Sequence, residues 1–250
     1  MTRSIAMALS VLFFVACSQE SDGSSAPSSA GLTPASSDVH ILAASDCHEY
    51  SCEGPLEPGR YRATYSTPSF EFEITSPGWT WVYSGSFVMV ADPTGATEGP
   101  IGPDGIYFLR KPSIASRDCG ESPEPDVGRS VDDLLAALEV TPGLTLTEPM
   151  AVTIGGVDGV QIDLEVDPAW KQTCVFSEGL PAVPLIIRGT DIGGYHWAIV
   201  RGQWMRWYIL DTGEDVMIVD VEDGPEGLSR DELLQSTDEI LASLEFSASS

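Results

Sequence analysis

The sequence predicts an α+β domain in which an antiparallel β-sheet is flanked by helices, and three observations carry that expectation. Short segments with alternating apolar and polar residues recur along the chain, separated by Gly and Pro. Only two segments combine helical periodicity with a start signal. Helices and strands never alternate in the β-α-β order that a parallel sheet requires. A jelly-roll-like all-β fold is the alternative, and the strong helix near the C-terminus weighs against it.

Residues 61–65, 70–74, 79–83, 87–90 and 106–109 read as short strands. Ser130 and Asp133 then form a capping-box pattern, and Val131, Leu134, Leu135 and Leu138 follow at helical spacing. Thr141-Pro142-Gly143 stops that helix. Residues 144–154 and 160–166 flank Gly155-Gly156-Val157-Asp158-Gly159, the pattern of a hairpin with a glycine-rich turn. On the return strand Ile162, Leu164 and Val166 share one face, and Asp163 and Glu165 share the other. Residues 185–188 form another short strand. Residues 195–200, 204–210 and 215–221 read as a meander with turns at 201–203 and 211–214. Ser229 and Glu232 open the second helix, whose apolar stripe is Leu233, Leu234, Ile240, Leu241 and Leu244.

Charge excludes whole classes of function. The chain has 250 residues, with 38 acidic side chains against 12 basic ones and a formal charge of −26. Nucleic-acid binding needs a basic patch that displaces phosphate counterions, and twelve scattered cations do not build one. Electrostatic docking on anionic lipid fails for the same reason. A hydrophobic content of 42% with six Trp excludes disorder throughout. Residues 46–246 suit a single domain, followed by a tail at 247–250.

The N-terminus reads as a targeting segment. Arg3 precedes an apolar run at residues 5–15, which suits a signal-peptide core and is too short to span a bilayer. Phe14-Val15-Ala16-Cys17 resembles the bacterial lipobox, with Phe14 where the family usually carries an aliphatic residue. The resemblance implies a signal peptide at 1–16 and a lipidated Cys17. Residues 17–45 form a flexible linker, and 16 of the 21 residues at 18–38 are Ser, Thr, Gly, Pro or Ala. As a flexible coil those 21 residues put their ends roughly 25 Å apart. The expected location is extracytoplasmic, at the cell membrane or envelope, with the membrane as partner through the lipid.

Cys47, Cys52, Cys119 and Cys174 remain, an even number in an exported chain. Three pairings into two disulfides are possible. Cys47 with Cys52 and Cys119 with Cys174 are preferred, because the first closes a small loop and the second staples distant segments. A zinc site would need paired short Cys spacings or a second nearby His, which the sequence lacks.

Several short motifs resemble known families. They are Phe70-x-Phe72-x-Ile74 leading to Pro77-Gly78-Trp79, the hairpin Val152-Thr153-Ile154-Gly155-Gly156-x-x-Gly159, and the closing Ile240-Leu241-Ala242-Ser243-Leu244-Glu245-Phe246. Together they resemble uncharacterised actinobacterial-type envelope lipoproteins and, more distantly, the Mog1/PsbP-like fold. That resemblance implies an antiparallel sheet flanked by helices and accessory or binding roles. It transfers no functional residue. Residues 119–129 and 174–184 stand out against it as insertions.

No P-loop, Rossmann fingerprint, G-x-S-x-G elbow or H-E-x-x-H motif occurs, and no cofactor is expected. His40 lies at the linker's end, His48 lies beside the preferred Cys47–Cys52 disulfide, and His196 has no nucleophile beside it in sequence. Glu71 with Glu73 and Asp163 with Glu165 read as solvated strand faces. Asp211, Asp215, Asp220 and Asp223 cluster oxygens on turns, as calcium prefers, without matching the EF-hand spacing. Tyr195, Trp197, Trp204 and Trp207 could present an aromatic face to a ligand or partner protein, or fill the core on a strand covered from both sides. The expected function is a non-enzymatic binding or accessory module for an envelope protein or small ligand. The alternatives are an extracytoplasmic hydrolase using carboxylates and a structural or adhesive surface protein.

Overall fold

The computed structural model describes residues 38–42, 54–64, 68–83, 86–89, 104–120, 122–187, 196–213, 215–224 and 228–247. These all belong to one unit, Ser36–Ser250. The expected signal peptide, Cys17, most of the linker, His48, Tyr195, Cys47 and Cys52 lie outside the described residues. No helix among the described residues is long and apolar enough to cross a membrane.

Alternating sequence segments become strands where their apolar residues meet a neighbouring layer. The first strands are β1 (His40–Leu42), β2 (Gly54–Leu56), β3 (Gly59–Ala63), β4 (Phe70–Ile74), β5 (Trp79–Tyr83), β6 (Ser86–Met89), β7 (Gly105–Arg110) and β8 (Ser113–Ile114). Helix α1 (Val131–Glu139) is followed by β9 (Leu144–Leu146), β10 (Met150–Ile154), β11 (Val157–Val166), β12 (Ala182–Ile187) and β13 (His196–Val200). Next come β14 (Trp204–Asp211), β15 (Val216–Glu222), α2 (Arg230–Ser243) and β16 (Glu245–Phe246). Both helices begin on the expected capping boxes. Ser130 accepts from the Asp133 backbone N–H and Ser229 from that of Glu232, and each acid reaches back to its cap. Gly155 and Gly156 both take positive φ, at 59° and 79°, so the β10–β11 hairpin closes through a two-residue primed turn.

The expected α+β class is corrected. The described fold is mostly β, with strands in three sheets and two α-helices, rather than one sheet flanked by helices. A nine-stranded antiparallel sheet runs β10-β11-β14-β15-β7-β6-β5-β2, with β9 also pairing β11. A four-stranded sheet, β1-β3-β4-β16, and α2 bury Phe70, Phe72, Leu233 and Ile240 against one face of it, with Trp204, Tyr208 and Val219. A three-stranded sheet, β13-β12-β8, and α1 bury Leu134, Leu138, Val183 and Ile186 against the other face, with Trp207, Ile209 and Ile218. The jelly-roll alternative, an eight-stranded double sheet, does not describe this arrangement of nine, four and three strands either.

The sequence misleads because covering strands are short. β8 has two residues and β12 is buried along its whole length, so neither shows the alternation that marks a half-exposed strand. The linker also ends sooner than expected. His40–Leu42 forms β1, pairs in parallel with β3 and buries Leu42.

Cys119 and Cys174 form a disulfide across 55 residues, as expected, and pack with Ala182 and Val200 beside the three-stranded sheet. In the chain-entropy account a loop of that length contributes about 4 kcal/mol. Replacing both cysteines by Ser should move the urea midpoint down by an amount equivalent to roughly 2–4 kcal/mol. Unfolding curves of the oxidised and doubly substituted proteins that superimpose would refute this.

Candidate functional site

The site grows from the two-sided burial of β14 and β15. Alternate residues of β14 enter opposite cores, Trp204, Tyr208 and Leu210 on one face and Met205, Trp207 and Ile209 on the other. Trp204 is 1% exposed and Trp207 is fully buried, so neither can serve a surface ligand. Trp197 on β13 is half-buried, and its ring meets Tyr107 edge-on at 4.9 Å. The aromatic platform considered for Tyr195, Trp197, Trp204 and Trp207 is therefore not formed by its described members. Their large side chains fill the layers instead.

Beneath Trp197 lies a buried acid pair. Asp220 and Glu222 are two apart on β15 and point into the same core as Val216 and Ile218. They are 0% and 3% exposed. The Trp197 indole N–H donates to Asp220 Oδ2 at 2.6 Å. Trp207, directly opposite on β14, holds its indole N–H towards the same carboxyl without closing a well-formed hydrogen bond. Asp220 Oδ1 has no partner among the described residues. Glu222 accepts from Gln203 Nε2 at 3.2 Å and lies within reach of the Tyr107 hydroxyl.

Burial disfavours the charged form of a carboxyl that has no cation beside it. Loss of hydration pushes Asp220 up to about 8, the Trp197 hydrogen bond opposing it in part. Glu222 rises well above the usual carboxylate range, first through burial and then through the charge of Asp220. Tyr107 is raised by burial and by the same two acids. Burial therefore favours the protonated, uncharged form of both carboxyls, in which they act as neutral hydrogen-bonding groups.

A cleft of about 300 Å³ lies where β11 ends, β14 begins and α2 starts, lined by Glu165, Val166, Pro168, Arg201, Gln203 and Arg230. Its geometry follows from a chain crossing. The expected meander of three strands is corrected here: β13 pairs with β12 in the three-stranded sheet, while β14 pairs with β11 and β15 in the large one. The connection is a tight turn in which the Gln203 N–H donates to the Val200 carbonyl at 3.1 Å, with Gly202 at φ 95°. Positive φ at that third turn position favours glycine. The turn sets Arg201 and Gln203 at the layer boundary. Gln203 then joins the cleft to the acid pair, accepting from the Val200 N–H and donating to Glu222.

The two guanidiniums differ. Arg230 pairs with Glu165 at 2.9 Å and lies 4.5 Å over the Trp204 ring, with 46% of its side chain exposed. Arg201 is half-buried and donates through Nη2 to the Trp170 carbonyl. Its Nε is shielded from solvent without a hydrogen-bond partner, and it has no carboxylate within ion-pair distance among the described residues.

The calcium candidates do not converge. Asp211 accepts from the Gly213 N–H at 2.9 Å, Asp215 faces Lys111 at 3.4 Å, and Asp223 accepts from the Trp204 N–H at 2.7 Å. Asp220 belongs to the buried pair. Among the described residues no group of three or more His, Cys, Asp or Glu side chains is spaced to hold a metal ion. Sequence reasoning missed Glu222, Gln203, Arg201 and Arg230. The acid pair had a signal: Val216-Met217-Ile218-Val219-Asp220-Val221-Glu222 is an apolar strand carrying two acids of one parity.

No protein-family profile matches the chain. No curated protein matches it either. Among solved structures, the solution structure of cyanobacterial PsbP (CyanoP) from Synechocystis is similar at 11% identity and a TM-score of 0.34, covering 79% of this chain and 98% of that one. So loose a likeness carries no argument about fold or function.

The acid pair makes stability pH-dependent. An unfolded Asp ionises near 3.9, whereas folded Asp220 holds its proton to about 8. The folded state thus binds more protons between about pH 4 and pH 8, and its stability is lost as pH rises through that window. In Asp220→Asn the melting temperature should fall less steeply from pH 5 to pH 9 than in the wild type. Parallel curves by calorimetry would contradict the protonated pair.

Proposed function

We propose that this chain is a lipid-anchored extracytoplasmic binding module, without catalytic activity of its own, in the manner of actinobacterial-type envelope lipoproteins. The lipobox-like Phe14-Val15-Ala16-Cys17 and the polar tether support the anchor. The Cys119–Cys174 disulfide suits an oxidising compartment. The observation that carries the binding role is the cleft between β11, β14 and α2, at the small end of the size range of ligand sites. Its wall combines apolar Val166 and Pro168 with a few convergent polar groups, the usual make-up of such sites.

The hydrolase reading has less support. Carboxylate-driven glycoside hydrolysis needs two acids across an open cleft, about 5–10 Å apart. This cleft presents Glu165 alone, while Asp220 and Glu222 lie sealed beneath Trp197 and Gln203.

Two measurements test the proposal. Cys17→Ala should shift the protein from the membrane to the soluble fraction of the expressing bacterium, and a variant that still sediments with membranes would refute the anchor. A fragment library screened by NMR against the full chain should perturb the resonances of Val166, Gly202 and Gln203. Fragments that leave all three unmoved would refute the binding module.

A further inference from the structure

We propose that the cleft binds a small organic monocarboxylate, with Arg201 as its principal charge partner and Arg230 at the rim. The proposal rests on the binding-module reading and specifies its ligand class.

The argument starts from an unbalanced charge. The chain carries 38 acidic residues, yet none is placed within ion-pair distance of Arg201 among the described residues. A half-buried guanidinium has five donors in a fixed fork; here Nη2 serves the Trp170 carbonyl and Nε is sealed from solvent, which leaves the Nη1 donors for a ligand. A two-oxygen anion matches the guanidinium fork.

The sign and size of the site choose among anions. Arg201 and Arg230 against Glu165 leave the lining at a formal +1, which a monoanion neutralises and a dianionic phosphate overshoots. The field of a chain at −26 opposes multivalent anions more strongly still. The exposed Arg230–Glu165 pair contributes little by itself, so Arg230 can turn to a ligand without much loss. Val166 and Pro168 offer apolar wall for a short hydrocarbon part. A volume of about 300 Å³ is ample for a short-chain monocarboxylate.

Calorimetric titration of the full chain in detergent tests this with propionate, its neutral isostere propionamide, and inorganic phosphate, at constant ionic strength. Propionate should bind with a Kd on the order of 1 mM, as suits so small a ligand. Propionamide and phosphate should bind at least about tenfold more weakly. Arg201→Gln should weaken propionate at least about tenfold, and Arg230→Gln by about threefold. Because Arg201 also holds the Trp170 carbonyl, Arg201→Lys provides a second variant that keeps the charge, and it should retain part of the affinity lost in Arg201→Gln. Equal binding of propionate and propionamide, tighter binding of phosphate, no propionate binding, or unchanged affinity in both Arg201 variants would each overturn the proposal. If neutral or cationic fragments still perturb the cleft in the NMR screen, the ligand class fails while the binding module stands.

Discussion

The structure depends on one constraint: the β14–β15 ribbon is covered on both faces. Trp204 and Trp207 are both sealed although they sit on opposite faces of one strand, which requires a complete layer above and another below. The four-stranded sheet with α2 supplies one layer, and the three-stranded sheet with α1 supplies the other. A strand in this position has no solvent face for polar residues. Asp220 and Glu222 therefore enter a core and must be neutralised, hydrogen-bonded or both. Trp197, Trp207, Tyr107 and Gln203 surround them for that reason.

The same constraint produces the cleft. To cover the ribbon, the chain must leave the three-stranded sheet at Val200 and enter the large sheet at Trp204. That crossing is made in one tight turn, and a turn between layers leaves space at the sheet edge. Arg201 and Gln203 occupy it from above, Glu165 and Val166 from the end of β11, and Arg230 from the first residue of α2. Trp170 anchors Arg201 from outside the lining. Its indole donates to the Ala182 carbonyl at 2.9 Å, its own carbonyl receives Arg201, and its ring packs so closely on Gly143 that a Cβ there would lie 2.2 Å from it.

Local elements were legible in the sequence, because local chemistry decides them. Ser130 with Asp133 and Ser229 with Glu232 are self-contained caps, and Phe70–Ile74 alternates because only one of its faces is buried. The two-faced character of Trp207 and Tyr208 was also visible, as was the pairing of Cys119 with Cys174. The number of sheets was not. Whether β13 continues into β14 as a hairpin or departs for another layer depends on contacts with β12, far along the chain, and no local pattern encodes it. The cleft was illegible for the same reason, since its lining comes from three separated segments. Asp220 drew attention as a turn oxygen for calcium, although its parity with Val216 and Ile218 pointed inward.

The central claim is that two-sided burial holds an acid on β15 in its protonated form at neutral pH. Infrared difference spectroscopy tests it directly through the C=O stretch of a protonated carboxyl. The account predicts that this band is present at pH 7, survives until the pH approaches about 8, and loses intensity in Asp220→Asn. A spectrum at pH 7 with carboxylate bands alone, identical in the wild type and Asp220→Asn, would contradict it.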